Sequence, residues 1–152
     1  MPKNLSRFVD LLAVLVFAAT LALLFAEYAT LPARVPAHFS FTGQPDRFSG
    51  KSSLLLLAFV NAATLALLTA VPFFPRWINV PGPRTPGNIA RAIALVRIIK
   101  LEIAAFFAYL IWGIIQIATG AAETLGLGVI AFVGLLIATI AIGLMKTSEY
   151  DS

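Results

Sequence analysis

Four long, almost uncharged apolar stretches limit what this chain can fold into. They cover approximately residues 8–28, 54–74, 93–119 and 125–145. A helix rises about 1.5 Å per residue, so roughly 20 apolar residues cross the hydrocarbon core of a bilayer. Charged residues make up 12% of the chain and hydrophobic residues 60%, against about a quarter and about half in soluble domains. The sequence therefore predicts an all-α integral membrane protein, a four-helix bundle in which residues 1–152 form one domain.

The first stretch can also be compared with a secretory signal peptide, because Lys3 and Arg7 precede it. Its apolar run is longer than the core of a usual signal peptide, and Leu24-Phe25-Ala26 is a poor cleavage site. We therefore expect this stretch to stay in the protein as a membrane helix.

The basic residues predict how the helices are oriented, since cytoplasmic loops of membrane proteins carry an excess of lysine and arginine. With the N-terminus inside, eight basic residues face the cytoplasm and three face outward. The inner set is Lys3, Arg7, Arg76, Arg84, Arg91, Arg97, Lys100 and Lys146, and the outer set is Arg34, Arg47 and Lys51. We therefore expect a multi-pass protein of a prokaryotic plasma membrane with both termini in the cytoplasm. Because the inner arginines follow this rule, they predict contact with the lipid bilayer and no nucleic-acid partner.

Two long connections join the predicted helices. The inner loop, residues 76–92, holds three prolines, two glycines and three arginines, so it should be irregular until the third helix restarts near Asn88 as its N-cap. The outer loop, residues 31–53, contains three prolines, two glycines and the single histidine of the chain. Prolines fix their own φ angles and glycines permit positive ones, which predicts an ordered, turn-rich outer loop.

The outer loop also holds the side chains best suited to chemistry. His38 and Asp46 are capable of metal or acid–base contacts, and Lys51 follows them. In a structural interpretation His38 binds the loop backbone, Asp46 caps the turn at Pro45, and Lys51 pairs with Asp46 or a lipid phosphate. In a functional interpretation these side chains bind an external ligand. A metal site would need a further ligand such as Glu27 or Glu123, so no metal and no cofactor are predicted.

The outer loop resembles that of a known family. The shared pattern is Leu31-Pro32-x-x-Val35-Pro36-x-His38-Phe39, then Gly43-x-Pro45-Asp46, then Gly50-Lys51. It is similar to a bacterial and archaeal membrane domain of unknown function at the N-terminus of SdpI-type immunity proteins, over about residues 8–75. The resemblance implies a membrane protein that protects a producer cell from a secreted peptide toxin. The second, arginine- and glycine-marked motif of SdpI-type proteins is not found in this sequence.

The third apolar stretch carries three polar residues seven positions apart, Glu102, Tyr109 and Gln116. This spacing leaves successive members only about 20° apart around a helix, so they form one stripe. Ionisable and amide groups inside a membrane usually face a protein interior or water. Together with Asn61 of the second stretch, the stripe fits either a polar path for an ion or ligand, or hydrogen bonds between packed helices.

The packing interpretation makes two further predictions. Glu102 would pair with Arg97 or Lys100, which lie about one turn earlier on the same helix. Small residues at every fourth position let helix backbones approach closely in lipid, which predicts tight packing of the first helix on the second. The small residues concerned are Ala18, Ala22 and Ala26 in the first helix and Ala58, Ala62, Ala66 and Ala70 in the second.

The function predicted from the sequence is non-enzymatic, since the single histidine lacks the spacing of a Ser–His–Asp triad or an HExxH zinc site. We expect the outer loop to recognise a peptide toxin or an envelope ligand. The loop residues concerned are His38, Asp46 and Lys51, with Pro36, Gly43 and Pro45 shaping the loop. A small transporter or accessory membrane subunit, using the polar stripe of the third helix, is the alternative. A membrane enzyme that uses His38 comes third.

Overall fold

In the part of the chain that the structure describes there are four long helices, with a short β-hairpin between the first two and two short 3-10 turns between the second and the third. The computed structural model describes residues 1–78, 80 and 83–148. In chain order the elements are α1 (Lys3–Glu27), β1 (Arg34–Phe39), β2 (Pro45–Gly50), α2 (Ser52–Ala70), 3-10 turns at Val71–Phe73 and Pro75–Trp77, α3 (Pro86–Ala118) and α4 (Gly128–Ser148). Residues 79, 81 and 82 of the predicted inner loop and residues 149–152 of the predicted domain lie outside the described residues. The side chains of Lys3 and Lys146, which entered the orientation prediction, also lie outside them.

Four helices in the described part of the chain are long and apolar enough to cross a membrane. The spans are Asn4–Glu27, Ser52–Phe73, Pro86–Ala118 and Gly128–Met145. The chain is therefore mostly helical and has the character of a multi-pass membrane protein, as the apolar stretches predicted.

The start of α3 differs from the prediction. Asn88 was expected to cap this helix, but α3 begins at Pro86 and its N-cap is Thr85. The Thr85 hydroxyl oxygen accepts a hydrogen bond from the backbone N–H of Asn88 at 3.2 Å. Proline suits the first helical position because an N–H there would have no partner within the helix. The helix therefore begins three residues earlier than predicted, and seven helical residues precede its apolar part near Ile93.

α3 lies at the centre of the bundle. α1, α2 and α4 all pack against it, whereas α1 and α2 touch each other only marginally. The predicted tight packing of the first two helices is therefore wrong. Ala18, Ala22 and Ala26 of α1 are exposed, so its small-residue stripe faces away from the bundle.

Two groups of buried residues hold the three-helix core together. At the end near the hairpin, Leu24 of α1, Ala58 of α2 and Ile111 of α3 pack with Val35 of the hairpin. Nearer the other end, Ala13, Leu65 and Ala104 pack together from the same three helices. We call the end of the bundle that carries β1 and β2 the hairpin end, and the other end, where α1 and α3 begin, the opposite end.

The outer loop, predicted to be ordered and turn-rich, contains an antiparallel hairpin, so the all-α description needs correction. β1 pairs with β2, with Pro36 opposite Phe48 and Pro45 opposite Phe39. Proline is rare inside sheets because it has no N–H to donate to the neighbouring strand, but it is tolerated on edge strands. In a two-stranded sheet both strands are edges, which explains how the hairpin holds two prolines.

Candidate functional site

Lys51 closes the base of the hairpin. Its Nζ donates hydrogen bonds to the carbonyl oxygens of Tyr28 at 3.0 Å and Leu31 at 3.3 Å, just past the end of α1. The ammonium also lies 4.9 Å from the centre of the Tyr28 ring, a cation–π distance. Lys51 was predicted to bind a ligand, or to pair with Asp46 or lipid. In the structure its ammonium satisfies carbonyls that the helix end leaves unpaired, and Asp46 binds His38 rather than Lys51; ligand binding by Lys51 stays a prediction.

Gly43 fixes the tip of the hairpin against the connection between α3 and α4. Its φ angle is +79°, which favours glycine. Its carbonyl oxygen accepts a hydrogen bond from the backbone N–H of Leu125 at 2.9 Å. A Cβ at this position would lie 2.8 Å from the carbonyl oxygen of Gly126, so the close approach also requires glycine.

His38 and Asp46 form a pair on the hairpin. His38 Nδ1 lies 2.6 Å from Asp46 Oδ1, and the two side chains are 58% and 48% exposed. The expectation that His38 binds the loop backbone and Asp46 caps the turn at Pro45 is therefore corrected: the two side chains bind each other. In the neutral ring with its proton on Nδ1, Nδ1 donates to Asp46 and Nε2 can accept a hydrogen bond.

A pocket of about 300 Å³ lies beside this pair, between the hairpin and the start of α4. His38, Phe39 and Phe41 line it from the hairpin, while Leu110 and Ile130 line it from α3 and α4. Its walls are mostly apolar, with His38 as the titratable side chain. Phe41, at the hairpin tip, is 86% exposed. The arrangement suits a ligand with an apolar part and a group that can hydrogen-bond to imidazole.

The remaining loop residues of the prediction build the scaffold. Pro36 is buried, and Pro45 pairs with Phe39 in the strand register. His38 and Gly43 both line the pocket. Among the described residues no group of three His, Cys, Asp or Glu side chains is placed to hold a metal ion.

The three polar residues of the α3 stripe each make a different hydrogen bond. Glu102 Oε1 accepts a hydrogen bond from the Thr139 hydroxyl of α4 at 2.6 Å. The Tyr109 hydroxyl donates to the carbonyl oxygen of Leu125. At the end of α3, the backbone carbonyl of Gln116 accepts hydrogen bonds from the amides of the following turn. Glu102 and Tyr109 therefore both contact α4 or the residues that lead into it.

Asn61 does not join these contacts. It is fully buried on α2, between Ala58 of one core group and Leu65 of the other. Neither its Nδ2 nor its Oδ1 has a hydrogen-bond partner among the described residues. The prediction that Asn61 extends the stripe of α3 is not supported by these contacts.

A charged cluster that the sequence reasoning missed joins three helices. Lys100 Nζ of α3 lies 2.5 Å from Asp10 Oδ1 of α1 and 3.3 Å from the Thr69 hydroxyl of α2. Arg97 Nε lies 3.2 Å from the other Asp10 oxygen. The expected pairing of Glu102 with Arg97 or Lys100 is therefore wrong. The available signal was that Asp10 and these cations stand at similar depths in two helices that run in parallel.

The comparisons with known proteins concern the hairpin and its flanking helices. Residues 15–62 match a family model described as "Domain of unknown function (DUF1648)". A protein of Archaeoglobus fulgidus described as "Uncharacterized protein" is 37% identical over 62 residues, which are 36% of this chain and 34% of the relative. The chain thus covers about a third of that relative's length. No solved structure matches the chain. The segment that this chain shares with the domain of unknown function contains His38, Asp46 and Lys51, and it lies within the predicted family-like residues 8–75.

Proposed function

We propose that this protein is a non-enzymatic membrane protein that recognises an amphipathic ligand at its hairpin end. The observation that carries the proposal is that His38, held by Asp46 at 2.6 Å, lines a mostly apolar pocket of about 300 Å³. Small-ligand sites combine apolar walls with a few fixed polar groups. Here the walls would bind the apolar face of the ligand, and His38 would orient it.

The scaffold supports this proposal because it holds the pocket from two sides. Lys51 fixes the base of the hairpin to the end of α1, and Gly43 fixes its tip to Leu125. A site pre-formed in this way loses little conformational entropy on binding. The hairpin is therefore suited to recognition.

A peptide is the ligand class that we propose, and immunity to a secreted peptide toxin is the specific form of the proposal. It follows from the resemblance of the loop pattern to SdpI-type proteins and from the apolar, aromatic wall of the pocket. In this proposal the hairpin faces outward, where a secreted peptide first meets the membrane.

Protection of living cells tests the proposal. Cells that express the protein would be challenged with the membrane-active peptides melittin and nisin, and the inhibitory concentration would be compared with that of cells carrying an empty vector. We expect the protein to raise the inhibitory concentration of at least one peptide, and His38→Ala and Asp46→Ala to abolish the gain. Ser49→Ala, exposed on the same hairpin, is the matched control and should protect fully.

Two results would contradict peptide recognition at this site. One is an unchanged inhibitory concentration for both peptides. The other is protection that survives His38→Ala, or that disappears equally with Ser49→Ala at an unchanged protein level measured by immunoblot.

Transport is the second candidate function, and one observation favours it. Glu102 lies within the span of α3, and its Oε2 is buried without a hydrogen-bond partner among the described residues. Ionisable groups at such positions often mark ion or proton pathways. Purified protein in liposomes should then carry a proton or cation flux that Glu102→Gln stops and His38→Ala leaves intact. Liposomes that show no flux of H⁺, Na⁺ or K⁺ would refute this function.

A further inference from the structure

Glu102 carries the one carboxyl group of α3 and lies at the middle of this helix. Its Oε1 accepts a hydrogen bond from the Thr139 hydroxyl of α4 at 2.6 Å. Its Oε2 is buried and has no hydrogen-bond partner among the described residues. Buried charges in proteins are normally paired or hydrogen-bonded, because an uncompensated charge in an apolar environment is costly. The Glu102 carboxylate therefore needs a partner that these residues do not supply.

The charged side chains of the neighbouring helices do not compensate Glu102. Lys100 and Arg97, on the same helix, both bind Asp10 of α1. Arg91 lies about three turns away along α3. The membrane spans of α2 and α4 carry no charged residue. Within the part of the chain that the structure describes, Glu102 thus has no ion-pair partner, and a cation from outside the protein fits this position.

The surroundings of Glu102 decide which cation fits. Glu102 lines a small cavity of about 50 Å³ between α3 and α4. The other lining residues are apolar: Ile103, Phe106, Phe132, Val133 and Leu136. A hard metal cation takes about six or more oxygen ligands, but the described side chains offer only the Glu102 carboxylate and the Thr139 hydroxyl here. A proton needs a single carboxylate oxygen, so it is the cation that suits this site.

Thr139 connects Glu102 to an open groove between the same two helices. The groove has a volume of about 520 Å³ and runs from Arg91, near the opposite end of the bundle, to Thr139. Because the Thr139 hydroxyl binds Glu102, a proton that arrives along the groove meets the carboxyl group at this residue. A hydroxyl suits the position, since it can donate to a carboxylate and accept from a protonated acid.

We infer that Glu102 is a proton-binding site within the membrane span of α3, and that it binds no metal cation. In the binding step a hydronium ion gives one proton to the carboxylate and leaves as water, and the carboxyl group becomes neutral. The hydrogen bond to Thr139 then reverses, with the carboxyl group as the donor. The inference rests on the second candidate function, transport, and deepens it by naming the ion: a pathway through Glu102 carries protons rather than Na⁺ or K⁺.

Labelling with dicyclohexylcarbodiimide tests the inference, because this apolar reagent enters membranes and reacts with protonated carboxyl groups. The carboxyl oxygen adds to the central carbon of the reagent, the acid proton moves to one of its nitrogens, and the adduct rearranges to a stable N-acylurea. Protein in liposomes would be treated in choline chloride, and mass spectrometry of its peptides would locate the adduct. We expect severalfold more adduct on Glu102 than on Glu123, an exposed acid between α3 and α4. NaCl or KCl at the same concentration should leave the labelling unchanged.

Glu123→Gln is the matched control variant and should be labelled at Glu102 as strongly as the wild type. An unlabelled Glu102, equal labelling of Glu123, or protection of Glu102 by NaCl or KCl would each overturn the inference. The flux measurement separates the proton site from transport. Labelled Glu102 in liposomes without any flux would leave the proton site standing and refute transport. A Na⁺ flux together with protection by NaCl would support transport and overturn the proton site.

Discussion

The backbone N–H of Leu125 donates a hydrogen bond to the carbonyl oxygen of Gly43 at 2.9 Å, and this bond joins the hairpin to the start of α4. The carbonyl of Leu125 accepts the Tyr109 hydroxyl, and its side chain lies against Gly113 of α3. One residue thus connects the hairpin, the central helix and the last helix. A change in the hairpin should therefore alter how α4 packs, although the two are far apart in sequence.

Gly43→Ala should destabilise the protein by about 1–3 kcal/mol, because it combines an unfavourable φ angle with a backbone clash. Gly120→Ala is the matched control, since Gly120 has a φ of +78° but nothing within 4 Å of an added Cβ. Thermal unfolding in detergent would compare the two variants. If Gly120→Ala is as destabilising as Gly43→Ala, the close approach of the hairpin tip to Gly126 is not important for stability.

Asp10→Asn should destabilise the bundle more than Lys100→Met does. Removing the carboxylate leaves two cations, one of them the buried Lys100, without their acidic partner; because Asp10 is 34% exposed, we expect a cost below the about 3–5 kcal/mol of a fully buried pair. Lys100→Met keeps the pair between Asp10 and Arg97 and replaces a buried ammonium with an apolar chain of similar length. Unfolding of both variants by increasing denaturant measures the difference. If the two variants unfold at the same denaturant concentration, the predicted difference is wrong, and if Asp10→Asn unfolds like the wild type, the cluster does not stabilise the bundle.

Gly128→Ala should loosen α4 from α3, because a Cβ at Gly128 would overlap the Tyr109 ring. We expect a loss of about 1–3 kcal/mol, as for other overpacked interiors. Gly134→Ala, on the same helix, should be neutral or stabilising by about 0.5–1 kcal/mol, since it has open space and alanine favours helix. Thermal unfolding decides between them, and equal effects would contradict the close packing of Tyr109 on α4.

Single cysteines can establish the orientation, because the chain has no cysteine of its own. Thr42→Cys places a thiol at the exposed hairpin tip, and Pro83→Cys places one before α3, leaving the N-cap Thr85 intact. In intact cells a membrane-impermeant maleimide should label Thr42→Cys and spare Pro83→Cys until the membrane is opened. The opposite labelling would put the hairpin in the cytoplasm and would rule out recognition of an external peptide.

The sequence predicts the membrane helices well because length and hydropathy suffice for them. It predicts their packing poorly, because small residues mark a close helix contact only when the helix turns them inward. Ala18, Ala22 and Ala26 have the right spacing but are exposed, and α1 and α2 pack on α3 rather than tightly on each other. Which helix lies at the centre depends on contacts between distant segments, which no local pattern reports.

The candidate site was predicted in part. The choice of His38 and Asp46 rested on their chemistry, and the structure brings the two side chains together. The strands that do so were missed because Pro36 and Pro45 look like strand breakers. The pocket also needs Leu110, Leu125 and Ile130, which are ordinary apolar residues in the sequence. The cluster around Asp10 was also not predicted, because its partners lie some ninety residues away in the sequence and no local pattern links them.

The position of α3 has a consequence for how the shared segment can be reused in evolution. Residues 15–62 supply the hairpin and parts of α1 and α2, yet these two helices touch each other only marginally and each packs on α3, which lies outside the segment. The segment is therefore not a self-sufficient module. A protein that folds it as this chain does needs a third helix, from the same chain or from a partner, that packs against both of the others.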